Sequence, residues 1–410
     1  MADTGFLEPT KTTEDASDTR QGTGPRTADE VLDRVRKAVP VLRERAAEIE
    51  RERQLPDDVV QLLKDAGAFR MTMPRSWGGP ELTSVQQTEV IETLATGDTS
   101  AAWCAMIGSD TGLYSGYLED SVARSMFADL DTVCAGFIAP AGRAERVPGG
   151  YRVNGRWPFG SGITHSDWVA AGCLVQDGGT VEQDPEAEGP HWRIVLLPTK
   201  DVQILDTWYT TGLAGSGSRD YEITDRFVPE EHTFHLLVPR REGPLHAMPD
   251  AHIRNIAGVP LGVARAALDH VRALAVGRID RATGELWSKG YRVQTVVARA
   301  EMALGAARSA VYTSLERQWE RLEAGETLTA DERSATVLAR YHAFHTARSV
   351  VSDLYDLLGG SAIYQRRSPL DRWMRDLNTI CQHAATGDQN LQAAGDFLLN
   401  GNPPSKLMHW

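Results

Sequence analysis

The sequence predicts an α+β fold with an N-terminal helical domain, a central β-barrel-like domain and a C-terminal four-helix bundle. Two observations predict this order. Apolar residues recur at helical intervals before about residue 130 and again after about residue 252. The segments between them are short, rich in β-branched and aromatic residues, and separated by Gly, Pro and Asp. We therefore expect domains at 27–131, 132–251 and 252–410, preceded by a polar, disordered leader at 1–26.

The N-terminal domain opens with a helix start signal. Thr27 and Glu30 have the spacing of a capping box, and apolar residues follow at helical intervals as far as Leu42. Pro40 should bend or interrupt this helix, because proline has no N–H to donate. A second helix should begin at Pro56, since proline suits a first helical turn.

The middle of the chain is predicted to form strands, and the last third is predicted to form helices. The strand candidates are TVCAGFIAP, GYRVNGRWPF, DWVAAGCLV, HWRIVLLP and RDYEITDRFVP. A stripe of apolar residues after position 260 and long helical segments at 288–324, 329–358 and 369–398 complete the predicted bundle.

Composition excludes several partners. With 56 acidic and 43 basic residues, the net charge is −13, so the chain lacks the basic surface that nucleic acid or anionic lipid requires. No apolar run approaches the roughly 18 residues of a membrane span. Four widely spaced cysteines without a CxxC pair predict neither disulfides nor zinc, and hence a cytoplasmic location. His342 and His345 share a helix face, but two ligands do not make a metal site, and we expect no metal.

Several segments resemble the acyl-CoA dehydrogenase superfamily in order and spacing. They are Asn154-Gly155-Arg156-Trp157-Pro158-Phe159-Gly160-Ser161-Gly162 with Asp167-Trp168, the stretch 212–229, Pro260-Leu261-Gly262, Gly359-Gly360, and Pro369 with Arg375-Asp376. The resemblance covers roughly residues 27–400 and implies a flavin-binding enzyme. It also implies a homotetramer with each flavin near a subunit boundary.

One departure from that family decides the expected chemistry. Acyl-CoA dehydrogenases need a carboxylate base, and the family's glutamate position falls on Ala384. The second placement used in the family, at residues 252–255, also lacks a carboxylate. His383 beside Ala384, with the Phe-Gly-Ser-Gly stretch at 159–162, resembles instead the flavin-dependent monooxygenase branch, the oxygenase components of two-component systems.

This resemblance implies an enzyme that takes reduced FMN or FAD from a separate NAD(P)H flavin reductase and reacts it with O2 through a flavin C4a-hydroperoxide. A small-molecule substrate in specialised metabolism would be hydroxylated if aromatic, or N-oxidised if an amine. Two alternatives stay open. One is a dehydrogenase or oxidase of acyl thioesters with an unusual base such as His252. The other is a flavin-free scaffold.

The resemblance assigns candidate site residues, each with a structural alternative. His383 and Ser161 are the catalytic candidates, and His383 is expected to manage a proton with a pKa near neutral. The cofactor-binding candidates are Trp157, Phe159, Gly160, Ser161, Arg281, Gln294, Gly359 and Gly360. The substrate-pocket candidates are Trp103, Asp110, Thr111, His252 and Asn255. Strand aromatics are commonly core residues, and paired glycines commonly end helices.

Overall fold

A computed structural model describes residues 24–185 and 188–402, so the predicted leader lies almost entirely outside the described residues. The first part of the chain is helical, as predicted. Its helices are α1 (Ala28–Glu52), α2 (Asp57–Ala66), α3 (Ser84–Ala95), α4 (Thr99–Gly108), α5 (Asp110–Ser115) and α6 (Asp120–Met126). The Thr27 hydroxyl accepts the Glu30 amide at 3.3 Å and thus caps α1, as the sequence predicts.

Of the two effects predicted for Pro40, a bend or an interruption, the interruption is wrong. Helix α1 runs through Pro40 without interruption for 25 residues. Leu42 and Ile49, beyond the proline, are completely buried on the same apolar face as Val35 before it. Burial of one continuous face on both sides of Pro40 therefore outweighs the missing hydrogen bond.

The described residues of the middle part form one mixed sheet of eight strands. The strands are β1 (Cys134–Val147), β2 (Gly150–Gly160), β3 (Trp168–Asp177), β4 (Thr180–Val181), β5 (Trp192–Pro198), β6 (Gln203–Ile204), β7 (Arg219–Pro229) and β8 (Thr233–Phe234). Their order is β6-β7-β2-β1-β3-β5-β8, with β4 paired to β3. Strands β1 and β3 are parallel, and the other pairs are antiparallel.

The C-terminal part is helical, but its last predicted helix is divided. The helices are α7 (Gly258–Gly277), α8 (Tyr291–Glu323), α9 (Ala330–Leu358), α10 (Leu370–Ile380) and α11 (Asp388–Asn400). The segment predicted as one helix over 369–398 ends at Ile380, passes through a 3-10 turn at Ala384–Thr386, and resumes at Asp388. His383 directly precedes that turn, so the interruption presents its side chain outside a regular helix.

The two helical parts share one hydrophobic core. Buried residues of α1, α3 and α4, such as Leu42, Ile91 and Ala102, belong to the same cluster as Leu268 of α7 and Phe344 of α9. The predicted boundaries near residues 131 and 251 stay predictions. Across the two described ranges, every helix is too short or too polar to cross a lipid bilayer.

Candidate active site

A cavity of about 970 Å³ lies where the three parts of the chain meet. Helices α4 and α5, strands β1 and β5, the loop before β7 and the turn after α10 all contribute to its walls. Of the predicted site residues, the lining includes Trp103, Asp110, Phe159, Ser161, His252 and His383. The structure thus brings together six candidates that are up to 280 positions apart in sequence.

Ser161 joins the helical part to the sheet. Its hydroxyl accepts the indole N–H of Trp103 at 3.0 Å and lies 2.7 Å from the Ser218 hydroxyl. Ser218 in turn lies 2.7 Å from the hydroxyl of Ser216, which donates to the Leu213 carbonyl at 2.7 Å. All three serines are buried.

This chain of hydroxyls has one consistent assignment of hydrogens. A hydroxyl carries a single hydrogen, and that of Ser216 is used on a carbonyl, which can only accept. Ser218 must therefore donate to Ser216, and Ser161 must donate to Ser218. Ser161 consequently has no hydrogen left and can offer a cavity ligand only a lone pair. Any hydrogen bond between the Ser161 hydroxyl and a ligand in the cavity is therefore one that Ser161 accepts.

Phe159 places an aromatic ring at the cavity wall. Its φ of 59° lies in the left-handed region, which a bulky side chain rarely adopts, and its side chain is 56% exposed. The rings of Phe137 and Trp208 lie 6.2 and 6.3 Å from it, centroid to centroid. The kink at Phe159 breaks the alternation of β2, where the pairing with β7 also shifts register between Trp157 and Gly160.

His383 is held in one tautomer. Its Nδ1 accepts the Ala385 N–H at 3.1 Å, so the neutral ring carries its proton on Nε2. Burial, and then the positive charge of Arg340, lower the pKa of His383 to about 4. The expectation of a pKa near neutral is therefore wrong. The indole of Trp103 packs edge-on against the ring, with centroids 5.6 Å apart.

Arg340 lies behind the turn that follows His383. It is buried on α9, and its Nε donates to the Ala385 carbonyl at 3.1 Å. Both backbone groups of Ala385 are therefore bonded: its carbonyl oxygen accepts from Arg340, and its N–H donates to the His383 ring. Burial lowers the pKa of Arg340 to about 10, which leaves the guanidinium charged at neutral pH.

Asp110 is a buried carboxyl at the cavity wall. Burial raises its pKa well above the usual range, and a hydrogen bond from the Tyr114 hydroxyl acts in the opposite direction. Burial thus favours the protonated carboxyl, and in that form Asp110 can both donate and accept a hydrogen bond. His252 lines the same cavity, and its Nδ1 donates to the Pro249 carbonyl at 2.8 Å.

The Arg375-Asp376 pair fixes the loop before β7 against α10. The Asp376 carboxylate accepts the Leu213 amide at 2.8 Å, and Arg375 donates to the Thr211 carbonyl at 2.5 Å. A Cβ atom on Gly212 would lie 2.2 Å from the Arg375 carbonyl oxygen, so the two backbones meet more closely than any other residue allows. The pair thus shapes the cavity through Leu213 and Thr211, which line it.

Several predicted site residues lie outside the cavity lining. Trp157 is completely buried, stacks on Tyr221 with centroids 5.5 Å apart, and donates to the Gly172 carbonyl at 2.7 Å. The ring of Trp157 thus lies in the core of the sheet and outside the cavity lining, and its cofactor contact stays a prediction. Gly160 packs against Tyr221 and Ile163 nearby.

Two of the expected pocket residues serve structural contacts instead. Thr111 donates to the Gly108 carbonyl and accepts the Cys134 amide, and it does not line the cavity. Asn255 donates to Gln87 at 3.2 Å and is likewise absent from the lining. Both side chains are buried; the Thr111 hydroxyl and the Asn255 amide nitrogen bond to protein partners, whereas the Asn255 Oδ1 has no hydrogen-bond partner among the described residues.

The remaining cofactor candidates lie on the surface of the C-terminal helices. Arg281, Gln294, Gly359 and Gly360 are all exposed and do not line the cavity. Added Cβ atoms on the two glycines would meet nothing within 4 Å. The positive φ of 57° at Gly359 favours glycine there, whereas neither packing nor a positive φ within this chain explains glycine at position 360.

Sequence reasoning missed Ser218, Trp208, Tyr114 and Arg340. Arg340 could have been noticed in the sequence, because it shares a face of α9 with the apolar residues Val337, Phe344 and Ala347. A buried arginine on such a face needs a specific partner. Ser218 and Trp208 carry no comparable pattern, since serine and tryptophan are ordinary residues of a strand-flanking loop.

The lining residues fit a flavin together with an aromatic substrate. The volume is near the upper end of ordinary ligand pockets, which run from about 300 to 1,000 Å³. Aromatic rings at Phe159 and Trp208 flank the wall that carries the Ser161 lone pair, which can accept a ring N–H. His383 adds a fixed Nε2–H donor.

Comparison with known proteins places these features in a family. Residues 26–119 match the family model of the acyl-CoA dehydrogenase N-terminal domain, and residues 255–387 match that of the C-terminal domain. The indole-3-acetate monooxygenase of Pseudomonas putida is 33% identical over 88% of this chain and 91% of that protein.

Solved structures agree with that assignment. The HsaA monooxygenase from M. tuberculosis superposes with a TM-score of 0.85 at 25% identity, covering 93% of this chain and 100% of that one. XiaF from Streptomyces sp., solved in complex with FADH2 and glycerol, gives a TM-score of 0.83 at 25% identity over 92% and 97%. The chain belongs to the flavin-dependent monooxygenases built on the acyl-CoA dehydrogenase fold.

Proposed function

We propose that this monooxygenase is the oxygenase component of a two-component system and oxygenates a small aromatic molecule, or an amine, with reduced FMN or FAD and O2. The observation that carries the proposal is the turn after α10, where a neutral histidine faces the cavity and Ala384 replaces a carboxylate base. Relatives named indole-3-acetate monooxygenase and resorcinol hydroxylase oxygenase component support aromatic hydroxylation. The latter name also supports a separate NAD(P)H flavin reductase as partner.

Bound reduced flavin would supply the electrons that activate O2. Ser161 would hold the ring by accepting a hydrogen bond, and Phe159 would cover it. The largely apolar walls would exclude water, which otherwise favours loss of the activated oxygen as hydrogen peroxide.

His383 would act as a hydrogen-bond donor through Nε2 without becoming charged. A histidine with a pKa of about 4 is almost entirely neutral at pH 7, so it does not deliver a stray proton to the cavity. Its fixed tautomer keeps Nε2–H available as a donor to a substrate or oxygen atom in the cavity.

A homotetramer would complete the site. Large apolar side chains of the C-terminal part are exposed, on its helices and on the segments that connect them, including Val276, Ile279, Tyr291, Met302, Ile363, Tyr364, Leu398 and Leu399. Exposed apolar area of this extent is typical of a protein interface. Arg281, Gln294, Gly359 and Gly360 lie on the same helical part and would reach a flavin held by another subunit. The four buried, unpaired cysteines support a reducing, cytoplasmic setting.

Anaerobic binding of reduced FMN and of reduced FAD, followed by mixing with O2, tests the proposal. We expect the protein to bind reduced flavin more tightly than oxidised flavin and to slow peroxide release relative to free reduced flavin. Bleaching of bound oxidised flavin by an acyl-CoA would overturn the proposal and favour a dehydrogenase with His252 as base. Absence of binding in both redox states would favour a flavin-free scaffold.

A further inference from the structure

Within the part of the chain that the structure describes, the cavity wall lacks the lysine or arginine side chain that would pair with a carboxylate substrate. Of the two lining histidines, His383 is neutral, and His252 uses its Nδ1–H on the Pro249 carbonyl. Arg340 lies behind the turn and is not part of the lining. A carboxylate in this cavity would therefore find no lysine or arginine among the described lining residues to pair with, and burial of an unpaired charge is strongly unfavourable.

Asp110 is the polar side chain placed to receive a substrate near α5. It is buried, it faces the cavity, and its hydrogen-bonding partner Tyr114 also lines the wall. The neighbouring lining residues Met106, Ile107 and Trp192 are apolar. A neutral carboxylic acid in such a wall offers one donor and one acceptor to a ligand.

We propose that the cavity binds an uncharged aromatic substrate and that Asp110 determines specificity by hydrogen-bonding the substrate's polar group. Suitable groups are a carboxamide, a phenolic hydroxyl or a ring N–H, because each complements a neutral acid. A cationic amine fits less well, since an ion pair in this apolar wall must overcome the desolvation of both charges. This inference rests on the proposed function in taking the cavity as the substrate site.

The inference distinguishes this chain from a relative that is 33% identical over 88% of it. The protein of Pseudomonas putida is named for indole-3-acetate, a carboxylate at neutral pH. We infer that the present enzyme does not accept that molecule well.

Three probes with one ring system test the inference. Indole-3-acetamide, indole-3-acetate and tryptamine carry a neutral, a negative and a positive side chain on the same indole. Dissociation constants are measured by calorimetry at pH 7.5, without oxygen, on the full chain with and without reduced flavin. We expect the amide to bind at least about tenfold more tightly than either charged probe, because burying an unpaired charge exceeds the value of one hydrogen bond.

Two substitutions assign the effect to Asp110. Asp110→Leu should weaken binding of the amide about tenfold, whereas Asp110→Asn, which keeps a donor and an acceptor, should weaken it by about threefold or less. Asp98→Asn is the matched control, because Asp98 is equally buried but caps α4 outside the cavity. Circular dichroism confirms folding of each variant.

Several outcomes would overturn the inference. Binding of the acetate as tightly as the amide, as a charged His252 would produce, contradicts the charge selection. Tighter binding of tryptamine than of the amide contradicts the proposal that the substrate is uncharged. If the amide does not bind at all, the proposal of an uncharged aromatic substrate fails. An unchanged amide affinity in Asp110→Leu removes Asp110 from recognition. Because no turnover is needed, flavin binding and oxygen use by the same preparations report separately on the proposed function.

Discussion

Trp103 and Ser161 meet across the boundary between the helical part and the sheet, with the indole N–H donating to the serine hydroxyl at 3.0 Å. The same indole packs edge-on against His383. One side chain of α4 therefore contacts both catalytic candidates, although the three residues come from separate parts of the chain.

Trp103→Phe keeps an aromatic ring and removes the donor. We expect a loss of about 1 kcal/mol in the free energy of unfolding, since one buried hydrogen bond is removed, and a weaker affinity for reduced flavin because Ser161 is less well held. Urea denaturation and anaerobic flavin titration measure the two effects. Trp157→Phe, which removes the bond to Gly172 in the core, should lose similar stability but retain flavin affinity. Equal flavin loss in both variants would contradict a site role for Trp103.

His383→Ala should still bind flavin, but its oxygen consumption should no longer be coupled to oxygenation of a substrate. Removing the fixed Nε2–H donor leaves oxygen in the cavity without its partner, so we expect most of the oxygen consumed to appear as hydrogen peroxide. Peroxide formed per oxygen consumed is measured in the presence of a tightly bound indole probe. His342→Ala, an exposed histidine on α9, should behave as the unsubstituted enzyme. Unchanged coupling in His383→Ala would remove His383 from the mechanism.

Arg340→Met should shift the pH range over which oxygen use stays coupled. In the unsubstituted enzyme, coupling should be lost as the pH falls through the pKa of His383 at about 4, because the ring then becomes charged. Removal of the Arg340 charge raises that pKa, so the loss should occur at higher pH in the variant. Arg340→Lys keeps the positive charge and should stay closer to the original profile. Identical profiles in all three proteins would show that Arg340 has no influence on the histidine.

Asp376→Ala should loosen the loop that holds Leu213. The Leu213 amide would lose its acceptor while buried, which costs about 1–3 kcal/mol in the free energy of unfolding. The affinity for reduced flavin should fall with it, because Leu213 and Thr211 line the cavity. Chemical denaturation and flavin titration check both. Asp371→Asn on the same helix, whose carboxylate pairs with Arg375 at a partly exposed site, is the control and should change both quantities less.

Gly360→Ala tests the subunit boundary. An added Cβ meets nothing in this chain, so stability of the single chain should change by less than about 0.5 kcal/mol. If Gly360 contacts a flavin of another subunit, flavin affinity or tetramer formation should decrease, as measured by titration and light scattering. Gly359→Ala serves as comparison, because its φ of 57° strains alanine and should lower stability directly. A tetramer with full flavin affinity in Gly360→Ala would contradict the proposed contact.

The order of helices and strands was predictable, because apolar residues recur at different intervals along a helix and along a strand. The interruption around His383 was not predictable, since helical spacing continues on both sides of Gly387. Helix α10 ends at Ile380, and the His383 side chain caps a separate 3-10 turn at Ala384–Thr386 by accepting the Ala385 amide. At Pro40 the sequence suggested an interruption that the structure does not have. Burial of one apolar face along the whole of α1 outweighs the hydrogen bond that proline cannot donate.

Assignments within the site depended on local backbone geometry. Trp157 and Phe159 have the same parity in β2 and should face the same side. The positive φ of Phe159 reverses that relation, so one ring enters the core and the other faces the cavity. No sequence rule anticipates a left-handed phenylalanine. The pKa of His383 was equally beyond reach, because it depends on burial and on Arg340, 43 positions away.

The meeting of three parts of the chain in one cavity has an evolutionary consequence. Helix α5 carries Asp110, whereas the sheet turn and the segment after α10 carry Ser161 and His383. If Asp110 recognises the substrate as we propose, mutations in the short α5 would alter which molecule binds, while Ser161 and His383 keep their places. This six-residue segment is then the first target for directed evolution of this enzyme towards new substrates.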